Sequence, residues 1–221
     1  MRLIKLLSLL LLSTSVFFIY QKTSNNTYTI LNIGDKLSIG INNYSYTNYY
    51  KNNLLKTKKE VIINNNYSKE DNTIDEILTL IQNTTEIKKD LREADQLIIT
   101  LGYYDLIEKI SIEEEITPYQ LKIIISKIKN SYDKLITEIK KYYHNNIIVI
   151  GYYTNESDNY YKNEGIKKLN LILNKEELIF INTNELLKQK EKYFNNFKYN
   201  YPNRLGYQVI GKEIIRKTLE K

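Results

Sequence analysis

The residues of this 221-residue chain best able to do chemistry stand in four short stretches. "ILNIGDKLSIG", Ile30 to Gly40, ends an apolar run on Gly34, Asp35, Lys36 and Ser38; "NNNYSKEDN" carries Asp71; "TLGYYDLI" carries Tyr104 and Asp105; "KYNYPNRLGY" carries Lys198 and Tyr201. A serine nucleophile needs an adjacent base to take its proton and a third group to orient that base. The chain has one histidine, His144, placed before the apolar run "NIIVI", and no cysteine, so thiolate nucleophiles, thiolate metal sites and disulfides are excluded by inventory. A lysine among carboxylates and phenols offers something else. Lys36 could bind an anion or simply neutralise Asp35, and the structural ion pair with Asp35 is the favoured expectation. Candidate cleft residues are therefore Asp35, Lys36, Ser38, Tyr104, Asp105 and Tyr201. No pair of histidines, dense Asp/Asn loop, P-loop order or G-x-G-x-x-G is present, so no metal, nucleotide or other cofactor is expected.

These residues need elements to hold them. Short apolar runs, "TYTILNI", "EVIIN", "QLIITLG", "NIIVIGYY" and "ELIFIN", alternate with longer helical patterns, the signature of a parallel sheet covered on both faces. The clearest helix starts at Thr117 and Pro118, with Leu121, Ile124, Ile125, Ile128, Tyr132, Leu135, Ile136 and Ile139 recurring at three- and four-residue steps. Thr73 and Glu76 are spaced as a capping box for another helix, and "GYQVIGKEIIRKTLEK" closes the chain. The expected fold class is α/β, a flavodoxin-like three-layer sandwich with a parallel sheet of about five strands. Ligands of such sheets bind beyond the carboxyl ends of the strands. The four stretches above follow strands or precede the last helix, whereas His144 stands at the opposite, amino end of its strand.

In order and spacing these loops resemble the blocks of the SGNH (GDSL-type) hydrolases, a family of esterases and lipases, over nearly the whole chain after residue 27. Against the family's G-D-S-L-T-x-G, Gly34, Asp35, Leu37 and Gly40 match, Ser38 replaces the threonine, and Lys36 stands at the nucleophilic serine. The second block most resembles Asn66 to Thr73, with Asp71 near the glycine whose N–H helps hold the oxyanion. In the third, Gly102, Asp105 and Leu106 match and Tyr104 replaces the oxyanion-hole asparagine. In the last, Pro202, Asn203, Gly206 and Tyr207 match, while Lys198 sits at the aspartate and Tyr201 at the histidine. "IIVIGYYTN" resembles the fourth strand and following loop of small bacterial members. The resemblance thus implies the fold together with loss of the chemistry. An oxyanion-hole donor contributes about 3 to 4 kcal/mol to catalysis, and Lys36, Lys198 and Tyr201 do not reconstitute a nucleophile, base and orienter. Ser38 lies two residues past the nucleophile position and would point elsewhere.

The segment before the domain reads as an anchor. "MRLIKLLSLLLLSTSVFFIYQK" places Arg2 and Lys5 ahead of an apolar run of about 18 residues, close to the roughly 20 that span a bilayer, and no small-residue cleavage site closes it. Residues 1–21 are expected to form an uncleaved signal anchor, 22–27 a linker and 28–221 the single domain, facing outward because the positive charges precede the span. Secretion after cleavage is the alternative. The net charge of +6 is spread over lysines interspersed with glutamates, which reads as solvated helix faces rather than a phosphate-tracking stripe, and nucleic acid is not an expected partner. The many N-x-[ST] triplets are expected by chance in so Asn-rich a chain. The expected function is a membrane-anchored, extracytoplasmic SGNH-like protein without hydrolase chemistry, a binding or scaffolding module for a cell-wall polymer, glycan or membrane-protein partner. The alternative is a residual or altered esterase acting on ester-linked acyl groups of lipids or cell-wall glycans.

Overall fold

A computed structural model describes residues 27–42, 44–112, 116–155, 158–195 and 201–219. The expected signal anchor (residues 1–21) and Lys198 lie outside the described residues. Among the described residues no helix is long and apolar enough to cross a membrane.

Five strands form one all-parallel sheet: β1 (Thr27–Gly34), β2 (Glu60–Ser68), β3 (Gln96–Thr100), β4 (Ile147–Ile150) and β5 (Ile179–Ile181), in the order β2-β1-β3-β4-β5. Strand β3 is buried along its whole length and β4 likewise, as their unbroken apolar sequences require of strands covered on both faces. The expected α/β sandwich is the observed fold.

The helices are α1 (Lys36–Ile39), α2 (Tyr46–Leu54), α3 (Ile74–Asn83), α4 (Thr85–Glu93), α5 (Tyr103–Ile112), α6 (Pro118–Ile139), α7 (Tyr160–Leu173), α8 (Thr183–Leu186), α9 (Lys190–Tyr193) and α10 (Arg204–Thr218). Their starts are written locally. Thr73 and Glu76 close a capping box on α3, and Thr117 and Gln120 do the same on α6, where Pro118 occupies a first-turn position lacking an N–H acceptor in any case. The apolar stripe of α6 buries Leu121, Ile124, Ile128, Tyr132, Leu135, Ile136 and Ile139, with Ile125 partly buried.

One strand departs from the sequence expectation. The pattern "EVIIN" predicts a five-residue β2, but the strand runs nine residues through Ser68. Its second half is polar because β2 is an edge strand, and Asn residues there bond sideways: Asn64 Nδ2 donates to Asp90 at 2.8 Å, and Asn65 Oδ1 accepts from Asn32 Nδ2 at 2.9 Å. The loop resembling the second block therefore begins at Lys69, three residues later than Asn66.

Candidate functional site

The site begins where β1 ends. Gly34 has no room for a side chain: a Cβ there would lie 2.7 Å from the Cβ and Oγ of Ser38 and 2.9 Å from the Thr100 carbonyl. Asp35 follows as the N-cap of α1, its backbone N–H donating to Thr100 O at 2.8 Å and its Oδ1 accepting from Leu37 N–H at 3.0 Å. Gly40 closes the turn at φ +82°, a conformation that L side chains rarely adopt, with the Tyr44 carbonyl 2.1 Å from where a Cβ would be. Beneath the turn, Tyr46 OH bonds Thr100 Oγ1 at 2.6 Å and donates to Asn32 Oδ1 at 3.1 Å, so the buried polar groups below the loop are paired.

Asp35 is 2% exposed. Its second oxygen accepts from the hydroxyl of Tyr152, which follows β4, and the Tyr152 ring stacks on Tyr103 at the start of α5 with centroids 5.3 Å apart. Burial lifts the Asp35 pKa to about 7 against the lowering effect of Tyr152 and the Leu37 N–H. Burial likewise holds the Tyr152 phenol well above its usual value, with the Asp35 charge adding to the effect. Above neutrality the carboxylate and the phenol share the phenol's one proton, and below it the carboxyl carries a second, at the floor of a narrow cleft.

Lys36 does not neutralise Asp35. Its ammonium pairs with Glu70 at 3.5 Å and sits 4.5 Å from the ring centroid of Tyr201, so the expected Lys36–Asp35 ion pair is corrected to a Lys36–Glu70 pair. The side chain of residue 36 reaches out over the loop after β2, whereas the Asp35 carboxyl is turned inward by its cap on α1. Contact with the Tyr201 hydroxyl, then Glu70, raises the Lys36 pKa, which keeps the amine protonated and removes it as a nucleophile at neutral pH. The residues at the family's nucleophile and base positions thus do meet, as a cation on a phenol.

Of the other candidates, Ser38 is buried completely and its Oγ donates to Asp35 O at 2.5 Å, so it supplies no hydroxyl to the cleft. Asp105 faces away: both its oxygens accept from Ile74 N–H at 3.2 Å, capping α3, and burial raises its pKa to about 6. It lines a separate groove of about 490 Å³ between α3, α5 and α6. Tyr104 is half-buried and lies outside the cleft lining, and Asp71 pairs with Lys69 at 3.0 Å on the exposed loop. Asp35, Lys36 and Tyr201 are brought together; Ser38, Tyr104, Asp105 and Asp71 are not. His144 is exposed on the turn before β4.

Sequence reasoning missed three cleft walls. Tyr103 and Tyr152 each carry a site wall, and the ion pair of Asp158 and Lys162, 2.8 Å long and largely shielded from solvent, stands beside Tyr103. The "GYY" repeated at 102–104 and 151–153 was the available signal, since both copies follow strand ends. The cleft they bound has a volume of about 80 Å³. Among the described residues no cluster of His, Asp or Glu could hold a metal ion.

No family model matches the chain, and no curated protein matches it in sequence. Solved structures do match in fold. A lipase from a goat rumen metagenome superposes with a TM-score of 0.71 at 18% identity, over 86% of this chain and 97% of that one. The acetylxylan esterase Axe2 from Geobacillus stearothermophilus gives 0.63 at 14% identity over 87% and 95%, and a GDSL-like lipase from Parabacteroides merdae gives 0.62 at 15% over 88% and 96%. The fold is that of the SGNH/GDSL-type hydrolases.

Proposed function

We propose that this protein is a membrane-anchored, extracytoplasmic SGNH-like module that binds a glycan or other cell-wall polymer through the Lys36 cleft and does not hydrolyse esters. The observation that carries this reading is the protonated lysine at the nucleophile position, held against Tyr201 where the fold's base would stand. Acyl transfer needs an uncharged or activated nucleophile beside a base within hydrogen-bond reach. Lys36 offers a cation, Tyr201 a phenol in place of a base, and Ser38 a hydroxyl sealed in the turn. What remains is a rigid, aromatic-walled recess with fixed polar groups, the general form of a small-ligand site. Polymer binding draws support from the naming of one structural neighbour as an acetylxylan esterase, a protein that acts on a glycan.

Exposure of the purified full chain to a fluorophosphonate probe and to short acyl esters tests the reading. The expected result is no covalent label and no ester turnover above the buffer rate. A label that disappears in Ser38→Ala would establish a rebuilt hydrolase and overturn it.

A further inference from the structure

The Lys36 cleft presents an ammonium group, and both carboxylates of its described lining already have partners. An ammonium group only donates; that of Lys36 stands 4.5 Å from the ring centroid of Tyr201 and that of Lys162 5.8 Å from the ring centroid of Tyr103. On the acceptor side, both Asp35 oxygens are taken, by Leu37 N–H and Tyr152 OH. Asp158 is matched by Lys162 at 2.8 Å. Among the described residues the cation of the lining is Lys36, and its partner Glu70 lies 3.5 Å away at the mouth with a side chain 67% exposed. An ion pair so exposed holds weakly, and a better-placed anion exchanges with it readily.

We propose that this cleft binds an anionic group, a carboxylate or a phosphate, with the Lys36 ammonium as its charged donor and Glu70 as the carboxylate it displaces. The proposal rests on the binding-module reading and names the ligand chemistry of that same site. A cleft of about 80 Å³ has room for several waters, and so for one such group with the rest of the ligand outside. The ammonium also discriminates: a neutral hydroxyl in the same place leaves it without a charged acceptor.

Asp35 gives the site a pH signature. The titratable groups around it are Tyr152 and Tyr153 after β4, Tyr46 on α2, Asp105 on α5 and Tyr207 on α10, none of them cationic, and the neighbouring Lys36 points to Glu70 and Tyr201. Ionisation of Asp35 near pH 7 therefore adds an unmatched negative charge to the cleft floor, which repels a bound anion. Affinity falls as pH rises through 7.

Calorimetric titration of the full chain in detergent, at low ionic strength, uses inorganic phosphate and sodium galacturonate as probes and galactose as the uncharged control. At pH 6 at least one anion is expected to bind, at least tenfold more weakly in Lys36→Met and more tightly in Glu70→Gln. Phosphate against galacturonate decides which anion the site takes. Raising the pH to 8 is expected to weaken binding severalfold relative to Asp35→Asn measured in parallel, a comparison that cancels the titration of the probe itself. The proposal is overturned if neither anion binds at tens of millimolar, if galactose binds as well as the anion that does, or if a folded Lys36→Met and Glu70→Gln both bind like the parent. Fluorophosphonate labelling would sink the binding-module reading whatever the titrations give, whereas unlabelled protein that ignores both anions would sink the anion alone.

Discussion

At the scale of single residues, Asp35 combines two jobs that pull against each other. As an N-cap it gains from being charged; as a group 2% exposed it gains from being neutral. Burial prevails and its pKa stands near 7 in the folded chain, against an ordinary value of 3.8. The folded state therefore holds a proton that the unfolded state has released. The stabilisation this gives is complete below about pH 4 and is lost as pH rises through 7, by up to about 4 kcal/mol at 1.36 kcal/mol per unit. Asp105, raised to about 6, acts in the same sense over a narrower window. Thermal melts from pH 5 to pH 8 should show the parent losing stability and Asp35→Asn losing distinctly less; parallel curves would show that Asp35 is ionised throughout. None of this was legible in "GDKLSIG". The sequence places Lys36 next to Asp35 and suggests a pair, but the cap on α1 turns the carboxyl inward while the lysine reaches to Glu70, a residue 34 positions later. Contacts between loops are set by the packing beneath them and leave no local trace.

At the scale of elements, the retained motif residues are the ones that build turns and helix starts. Asn203 shows how: its Oδ1 accepts from Gly206 N–H at 3.0 Å to cap α10, its Nδ2 donates to Lys192 O at 2.9 Å, and its own N–H donates to Tyr193 O at 2.7 Å. Asn72, unremarked in the sequence, ties the loop after β2 to the end of β1 by donating to Gly34 O at 2.8 Å and Tyr67 O at 2.9 Å. The fold itself needs such residues, whatever the cleft does. Asn203→Ala is expected to lower stability by about 1 to 2 kcal/mol through the lost cap and the orphaned carbonyl, measured as a drop in urea midpoint. The central strands were legible because full burial demands unbroken apolar runs: Leu97, Ile98 and Ile99, or Ile147 to Ile150, leave little alternative. The polar half of β2 was illegible for the converse reason, since an edge strand bonds through asparagine side chains that also suit loops.

At the scale of the whole molecule, charge is arranged locally. Ion pairs such as Lys89–Glu93, Lys129–Asp133 and Lys167–Glu164 join neighbours three or four positions apart on the same helix. That is how lysines spread among glutamates behave on solvated helix faces. The proposed anchoring belongs to this scale too. When cell lysates are fractionated, the full chain should sediment with membranes and resist extraction by high salt, while a chain begun at Thr27 should remain in the supernatant; release of the full chain by salt would point instead to a peripheral attachment.

The strand order carries a last consequence, for the way the chain comes into being. Every pairing in the sheet joins parallel strands, so each awaits a crossover rather than a hairpin. Strand β1 meets β2 only after about thirty residues and β3 only after about seventy, counted from Thr27 to Gln96. Until β3 has emerged from the ribosome or a membrane pore, the Ile30, Leu31 and Ile33 strand has one edge open and its apolar side chains uncovered. Parallel pairings of this kind form slowly and expose sticky intermediates. A nascent chain halted before Gln96 should therefore be a chaperone client, and the released full chain should not.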